Sequence, residues 1–242
     1  FHRNGILREA NFDLPQTLLD FEISSLRLDD KGNLAEVKLC DATLLGTKST
    51  VFEAESIVRF YPNGEVAGGI LAFDDMIDGI SCKGGSFVSF HPNSRLDGCT
   101  AAKNFTLSGA KCAGGDDVKI NEKGQLELCT LSENQTFRTS GMKKKLVFLP
   151  GEFTSFSSPG VVSRGHILSG QRVYGIKFGE TPSSQVEIND MRVSGVLGED
   201  ATIDGVRLEK GDWVRVSQDG KLIEIIVIRD KRVRGVLLKA DE

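Results

Sequence analysis

Five cysteines are the residues of this chain best suited to chemistry, and four of them recur at a fixed spacing. Cys82 and Cys112 are 30 residues apart, as are Cys99 and Cys129, whereas Cys40 stands alone. Because free cysteines are among the most buried residue types, we interpret the four as a buried and reduced ladder in a core. Disulfide pairing and zinc binding are the alternatives, although the odd count and the absence of a Cys-x-x-Cys motif favour neither.

The histidines lack the partners that acid-base catalysis would need. His2 and His91 each follow a phenylalanine directly, at a position where Tyr61 stands in a related stretch, and His166 is isolated. An amphipathic side chain beside a turn accounts for this placement without a catalytic role.

Two further patterns superficially indicate chemistry. Ser108 and Lys111 have the spacing of a Ser-x-x-Lys nucleophile, but Asp78 replaces the serine in a related stretch. Acidic pairs such as Asp74-Asp75 match neither an EF-hand loop nor a calcium-binding nonapeptide repeat. We therefore predict no catalytic, metal-binding or cofactor-binding residue, no cofactor, and a protein that is not an enzyme.

A repeat of about 30 residues positions all of these side chains. Its clearest copies begin at Val58, Val88 and Val118 and read VRFYPNGEV, VSFHPNSRL and VKINEKGQL. Apolar and polar residues alternate before a turn at which glycine supplies positive φ, as in a β-hairpin. The residues predicted to be structural repeat positions, with the aromatic ones in the core, are Phe60, Gly64, Phe90, Ile120, Gly124, Cys82, Cys112, Cys99 and Cys129.

The repeat predicts an all-β fold. Each unit contains three short strand-like pieces, and the Asn-Gly corners favour tandem β-hairpins forming an elongated meander sheet that could be curled. A three-strand β-solenoid is the alternative. We expect a single repeat domain over residues 1–242, with residues 1–27 as an N-terminal cap or truncated repeat, 28–222 as tandem repeats and 223–242 as closing strands.

Composition restricts the partners and the location. The net charge is −4, with 30 basic and 34 acidic residues interleaved, so the chain has no overall positive electrostatic field that would attract a polyanion. We therefore do not expect nucleic acid as a partner. No apolar run approaches the roughly 18 to 20 residues that a transmembrane helix needs. The first residue is Phe1, so we expect a processed chain, and we place the protein in a bacterium outside the cytoplasm, in the periplasm or at the cell surface.

One unit is longer than its neighbours. The excess residues fall near Lys143, Lys144, Lys145 and Phe153. Insertions in repeat proteins often lie on the binding face, so these four residues form the candidate binding loop, with a tolerated surface insertion as the alternative.

The stretches Phe60 to Leu71 (FYPNGEVAGGIL) and Phe90 to Leu96 (FHPNSRL) resemble the hairpin units of the MORN repeat and its bacterial variants. The similarity covers the first two strands of each unit. It implies a β-sheet scaffold for protein or membrane attachment, without catalytic residues.

These observations favour a non-enzymatic repeat scaffold that presents a binding surface to a protein, a glycan or a cell-envelope component. One alternative is a β-solenoid carbohydrate-active enzyme, which would need two carboxylates about 5 to 9.5 Å apart in a groove. The other is a carrier of an apolar ligand inside a closed β-sheet.

Overall fold

The computed structural model describes residues 1–18, 20–139, 145–179, 186–189, 192–217, 219–227, 229, 231–233 and 236–238. These residues form strands and turns, and none of them lies in a helix that could cross a membrane. The chain divides into two compact parts, the first comprising Phe1–Leu107 with Cys112–Cys129 and the second Ser108–Lys111 with Thr130–Glu242. We call these two parts the first unit and the second unit, whereas 'unit' without a number denotes one copy of the 30-residue repeat.

The strands up to Thr130 are β1 (Glu9–Leu18), β2 (Phe21–Leu28), β3 (Leu34–Leu39), β4 (Thr43–Leu45), β5 (Thr50–Phe52), β6 (Ile57–Phe60), β7 (Val66–Ile70), β8 (Asp75–Ile77), β9 (Ile80–Cys82), β10 (Phe87–Phe90), β11 (Leu96–Thr100), β12 (Phe105–Leu107), β13 (Ala110–Cys112), β14 (Asp117–Ile120) and β15 (Leu126–Thr130).

The later strands are β16 (Gln135–Thr139), β17 (Lys145–Phe148), β18 (Phe153–Ser158), β19 (Val161–Ile167), β20 (Arg172–Val173), β21 (Ile176–Lys177), β22 (Val186–Asn189), β23 (Arg192–Val196), β24 (Ala201–Ile203), β25 (Val206–Leu208), β26 (Trp213–Val216), β27 (Leu222–Ile226), β28 (Lys231–Val233) and β29 (Val236–Leu238).

A long hairpin and a short hairpin alternate along the chain. The long hairpins are β2–β3, β6–β7, β10–β11, β14–β15, β18–β19, β22–β23 and β26–β27. The short hairpins include β4–β5, β8–β9, β20–β21, β24–β25 and β28–β29. The third strand-like piece of each predicted unit is therefore itself a two-stranded hairpin. In the longer unit that place is taken by β16–β17.

The long hairpins form an antiparallel meander, which confirms the predicted fold class. In the first unit the order of pairing is β1, β2, β3, β6, β7, β10, β11, β14 and β15. In the second unit β19, β22, β23, β26 and β27 follow one another in the same way. The solenoid alternative is wrong, because its coils would stack equivalent strands in parallel.

The short hairpins turn through two residues with positive φ. Asp78 and Gly79 have φ of 48° and 86°, and Asp204 and Gly205 have φ of 49° and 73°. Positive φ at both central residues defines the type I′ turn, whose twist matches that of paired strands. At the long hairpins Gly64 takes a φ of 86°, so glycine serves both corners of the unit.

Equivalent positions of successive units form buried columns. Val58, Val88 and Val118 are at most 2% exposed, because side chains that alternate along a strand place every second one on the core face. Phe90 is buried, as predicted, but Phe60 is only half-buried. Phe60 therefore contributes only part of its ring to the core, and the prediction that it is a fully buried core residue is wrong.

The cysteines form two disulfides, so the predicted reduced ladder is wrong although all four residues are buried. Cys82 pairs with Cys99 and Cys112 with Cys129, each across 17 residues, with Cα atoms 5.8 and 5.9 Å apart. Each bond joins the second strand of a short hairpin to the second strand of a long hairpin. Cys40 has a free thiol.

A phenylalanine and a glycine fill the corresponding place in other units. Phe52 packs against Gly69, where an added Cβ would lie 2.6 Å from the ring, and Phe148 packs against Gly165, where it would lie 3.1 Å from the ring. Both pairs have the 17-residue separation of the disulfides. A phenylalanine ring opposite glycine therefore occupies the space that two bonded cysteines occupy in other units. We call the two residues at these positions, 17 residues apart, the packing pair.

Backbone pairing confirms that these positions are equivalent. Single β-bridges join Phe52 to Leu71 and Cys82 to Ala101, and a third joins Phe178 to Leu197. The three bridges span the same number of residues. Phenylalanine and cysteine therefore occupy the same backbone position and differ only in how they fill the space.

The turn of a short hairpin is also tied to neighbouring units. The Oδ1 atom of Asp78 accepts a hydrogen bond from the Lys48 ammonium at 2.7 Å, and its Oδ2 atom accepts one from the N–H of Leu96 at 2.9 Å. Burial raises the pKa of Asp78, but these two hydrogen bonds and the positive charge of Lys48 outweigh burial and hold it below its ordinary value.

The two ends of the chain follow the repeat more closely than the sequence indicated. Within residues 1–27, β1 pairs along β2, which is a regular long-hairpin strand, so β1 covers an edge that would otherwise be open. Within residues 223–242, most of β27 and the hairpin β28–β29 complete a regular unit.

Phe90→Ala should lower the free energy of unfolding by about 3 to 5 kcal/mol, because it leaves a cavity in the core. Phe60→Ala should cost clearly less, since that ring is half-buried. Urea unfolding of both variants measures the difference. A loss below about 1 kcal/mol for Phe90→Ala would contradict the register of β10.

The packing pair predicts that Cys82→Phe combined with Cys99→Gly restores the arrangement of Phe52 and Gly69. Cys82→Phe alone should be destabilised by about 1 to 3 kcal/mol relative to reduced protein, because the ring meets the Cys99 side chain. Adding Cys99→Gly should recover most of that loss and leave only the dependence on reductant that the second disulfide, Cys112–Cys129, contributes. Urea unfolding with and without reductant tests this cycle; a double variant no more stable than Cys82→Phe would contradict it.

Candidate binding surface

The predicted binding loop is only partly described. Lys143 and Lys144 lie outside the described residues. Lys145 is exposed at the start of β17 and Phe153 is 52% exposed at the start of β18, so they lie on different strands of the second unit. These two residues by themselves do not define a site.

The histidines at the repeat position connect successive turns. The Nε2–H group of His2 donates to the carbonyl oxygen of Leu28 at 3.0 Å, and that of His91 donates to the carbonyl oxygen of Ile120 at 2.7 Å. The hydroxyl of Tyr61 donates in the same way to the carbonyl oxygen of Phe90 at 2.8 Å. These side chains each satisfy a backbone acceptor of the next unit and are structural.

The other groups considered for chemistry are engaged in turns and ion pairs. The Nζ atom of Lys111 lies 2.6 Å from Oε1 of Glu133, and Ser108 lies in a tight turn with a φ of 52°. Asp74 accepts a hydrogen bond from the N–H of Gly84 at 2.9 Å. Within the described ranges no group of three or more His, Cys, Asp or Glu side chains is arranged to hold a metal ion.

The solvent face of the first unit's sheet carries one continuous row of residues. Strand register places in sequence Arg27, Glu36, Arg59, Gly68, Ser89, Gly98, Lys119 and Leu128, one from each successive strand from β2 to β15. We call this set the surface row. Its register follows from the hairpins, whereas its chemistry changes from one end to the other.

At the end of the surface row nearest β2, ion pairs and an aromatic ring occupy the solvent face. Glu36 lies 2.6 Å from Arg27 and 3.2 Å from Arg59, and the Arg59 guanidinium lies 5.9 Å from the centroid of Phe87. The Phe87 ring covers Gly68, where an added Cβ would lie 2.8 Å from it. The ring is thus held between a glycine and a cation, which favours one orientation.

One unit later the same glycine position, Gly98, is buried by the neighbouring backbone and by the side chains of Ser89 and Lys119, without an aromatic ring above it. Gly98 corresponds to Gly68, but Asp117 stands where Phe87 would be, and no ring covers the glycine. A groove of about 230 Å³ remains, with Gly98 as its floor and Phe87, Ser89, Thr100, Asp117 and Lys119 around it. We call it the Gly98 groove.

The polar groups of the Gly98 groove are partly unengaged. The Oδ1 atom of Asp117 accepts a hydrogen bond from the Thr100 hydroxyl at 2.7 Å, and the Ser89 hydroxyl donates to Asp97 at 2.8 Å. Lys119 is exposed and forms no ion pair within the part of the chain that the structure describes. The groove therefore combines an exposed aromatic ring, a carboxylate oxygen and a free ammonium.

Sequence reasoning missed this groove. Gly98 is a glycine inside a strand, which indicates close approach of another group. Phe87 is an aromatic residue at the start of a strand, on the face opposite the core residue Val88. Their proximity depends on the register among β7, β10, β11 and β14, which the repeat alone does not give.

A scan against models of protein families and a search of curated proteins found no match to this chain. The chemistry of the surface row and of the Gly98 groove is therefore the basis for assigning a function.

Proposed function

We propose that this protein is a non-enzymatic repeat scaffold that binds a protein, glycan or cell-envelope partner through the solvent face of its first unit. The observation that carries the proposal is the Gly98 groove, where an aromatic ring and two polar groups of opposite charge stand open to solvent. Such a combination of apolar contact and a few oriented polar groups is typical of ligand sites.

The chemistry of the groove favours binding over catalysis. Asp117 is the single carboxylate that lines it, whereas glycoside hydrolysis by the usual mechanisms needs two at a set distance. The solenoid framework on which the enzyme alternative was based is also absent, since the hairpins form a meander. A carrier of an apolar ligand would need an enclosed apolar cavity, and the groove is open and partly polar.

The two disulfides favour a location outside the cytoplasm. Disulfides persist in oxidising compartments and are rare in the reducing cytosol. We extend the proposal to the periplasm or the cell surface on this ground. The likeness of the hairpin turns to MORN units belongs to the same proposal, and the regular antiparallel hairpins support it.

Co-sedimentation with cell-envelope fragments of the source organism tests the proposal. The wild-type protein should sediment with the fragments, and Asp117→Phe should weaken this at least about tenfold, because it places a ring over Gly98 as Phe87 covers Gly68. Ile57→Ala is the matched control, since Ile57 occupies the equivalent position two units before Asp117 and lies outside the groove.

Equal sedimentation of all three proteins, or of none, would contradict the proposed function. Release of reducing sugar ends from the fragments by wild-type protein, lost in Asp117→Asn, would instead favour the carbohydrate-active enzyme.

A further inference from the structure

We infer that the Gly98 groove binds one uncharged pyranose ring of a glycan. The inference rests on the proposed function, because it names the ligand class of the same surface. It draws on the size of the groove, the placement of its aromatic ring and the balance of its charges.

The size of the groove matches a single ring. Pockets for drug-sized ligands usually measure about 300 to 1,000 Å³, and the Gly98 groove, at about 230 Å³, is smaller. It is open to solvent, so a ring that belongs to a longer chain could enter while its neighbours remain in solvent. A glycan has this form.

The aromatic wall of the groove is held in one orientation. Phe87 is 47% exposed, and its ring lies between Gly68 and the Arg59 guanidinium. Because Gly68 and Arg59 take the two faces of the ring, its exposed edge is the part that offers apolar contact to the C–H groups of a sugar. The ring is already fixed, so this contact has a low entropic cost.

The polar groups are spaced to contact opposite sides of the same ring. Asp117 and Lys119 are two residues apart on β14 and point to the same face, so their Cα atoms are separated by roughly 6.8 Å. The free oxygen of Asp117 accepts from a hydroxyl, and the ammonium of Lys119 donates to one. Sugar hydroxyls both donate and accept, so they match this pair.

Charge selects an uncharged sugar. The carboxylate of Asp117 and the ammonium of Lys119 balance one another, so the groove carries no net charge of its own. An acidic sugar would gain from Lys119 but would be repelled by Asp117, and burying a like-charge contact is unfavourable. A neutral hexose avoids this repulsion and still uses both groups.

The groove is specific to one unit among the three clearest copies. At Gly68 the space is filled by Phe87, and at the third equivalent position Leu128 provides a side chain. Gly98 itself cannot readily be replaced, because an added Cβ would lie 2.8 Å from the carbonyl oxygen of Val118. Glycine is thus required by the close approach of β14, and the opening results from Asp117 in place of a ring.

Nuclear magnetic resonance titration of the ¹⁵N-labelled protein with methyl glycosides of glucose, galactose, mannose and N-acetylglucosamine, at millimolar concentrations, tests the inference. At least one neutral glycoside should shift the amide signals of Gly98, Thr100 and Lys119. Phe87→Ala should weaken that binding at least about tenfold, because it removes the apolar wall of the groove, whereas Phe87→Tyr should retain it, since it keeps the ring. Ile57→Ala should bind as wild type does.

Lys119→Gln provides a second variant whose side chain is exposed and whose folding is not in question; it should weaken binding by a smaller factor than Phe87→Ala, because it keeps one donor. The inference is overturned if no neutral glycoside shifts these amides, or if methyl glucuronide binds more tightly than every neutral one.

The two proposals can fail separately. If Asp117→Phe abolishes envelope binding while no sugar shifts the amides, the scaffold function stands and the partner is a protein or another envelope component. If a sugar binds in the groove but Asp117→Phe leaves envelope binding unchanged, the sugar site stands and the proposed function fails.

Discussion

The structure depends on one contact that recurs in at least four of its units, the packing pair that joins the short hairpin to the long one. Neither hairpin could be stable alone, because an isolated two-stranded ribbon buries too little apolar surface. Phe52 against Gly69 and Cys82 bonded to Cys99 are two chemical solutions of this contact. A ring opposite glycine fills the space by packing, whereas two cysteines fill it with a covalent bond and also restrict the unfolded chain.

This constraint acts on the core face and leaves the solvent face free to vary. The positions of Val58, Val88 and Val118 are the same residue in three units, whereas Ile57, Phe87 and Asp117, their direct neighbours on the opposite face, differ completely. The repeat thus presents side chains at regular intervals, and on this face the close approach of the next strand restricts the residue type only at glycine positions such as Gly68 and Gly98. One substitution in this series, aspartate for a ring, suffices to open the Gly98 groove, on which the proposed binding function rests.

Much of the fold could be predicted from the sequence, because period, alternation and turn residues are local signals. The antiparallel meander follows from these. The short hairpin was missed because Asp78-Gly79 lies inside what resembled one strand, although this dipeptide is a strong type I′ signal. The disulfides do not follow from the 30-residue period, because that period relates each cysteine to its equivalent in the next unit and not to its bonded partner. The 17-residue separation of Phe52 from Gly69, and of Phe148 from Gly165, was the signal that would have paired them.

The candidate site was less accessible to sequence reasoning than the core. The extra length of one repeat predicts a binding loop near Lys145 and Phe153, but the open groove lies on a regular part of the first unit. It requires the pairing of β10, β11 and β14, and long-range register is not encoded in any single hairpin.

The most direct test of the packing pair is to map the disulfides of the native protein. Free thiols are blocked in denaturant without reductant, the chain is digested, and linked peptides are identified by mass spectrometry. We predict links between Cys82 and Cys99 and between Cys112 and Cys129, with Cys40 alone modified. Four further modified thiols, or a link from Cys82 to Cys112, would contradict the arrangement on which the structure depends.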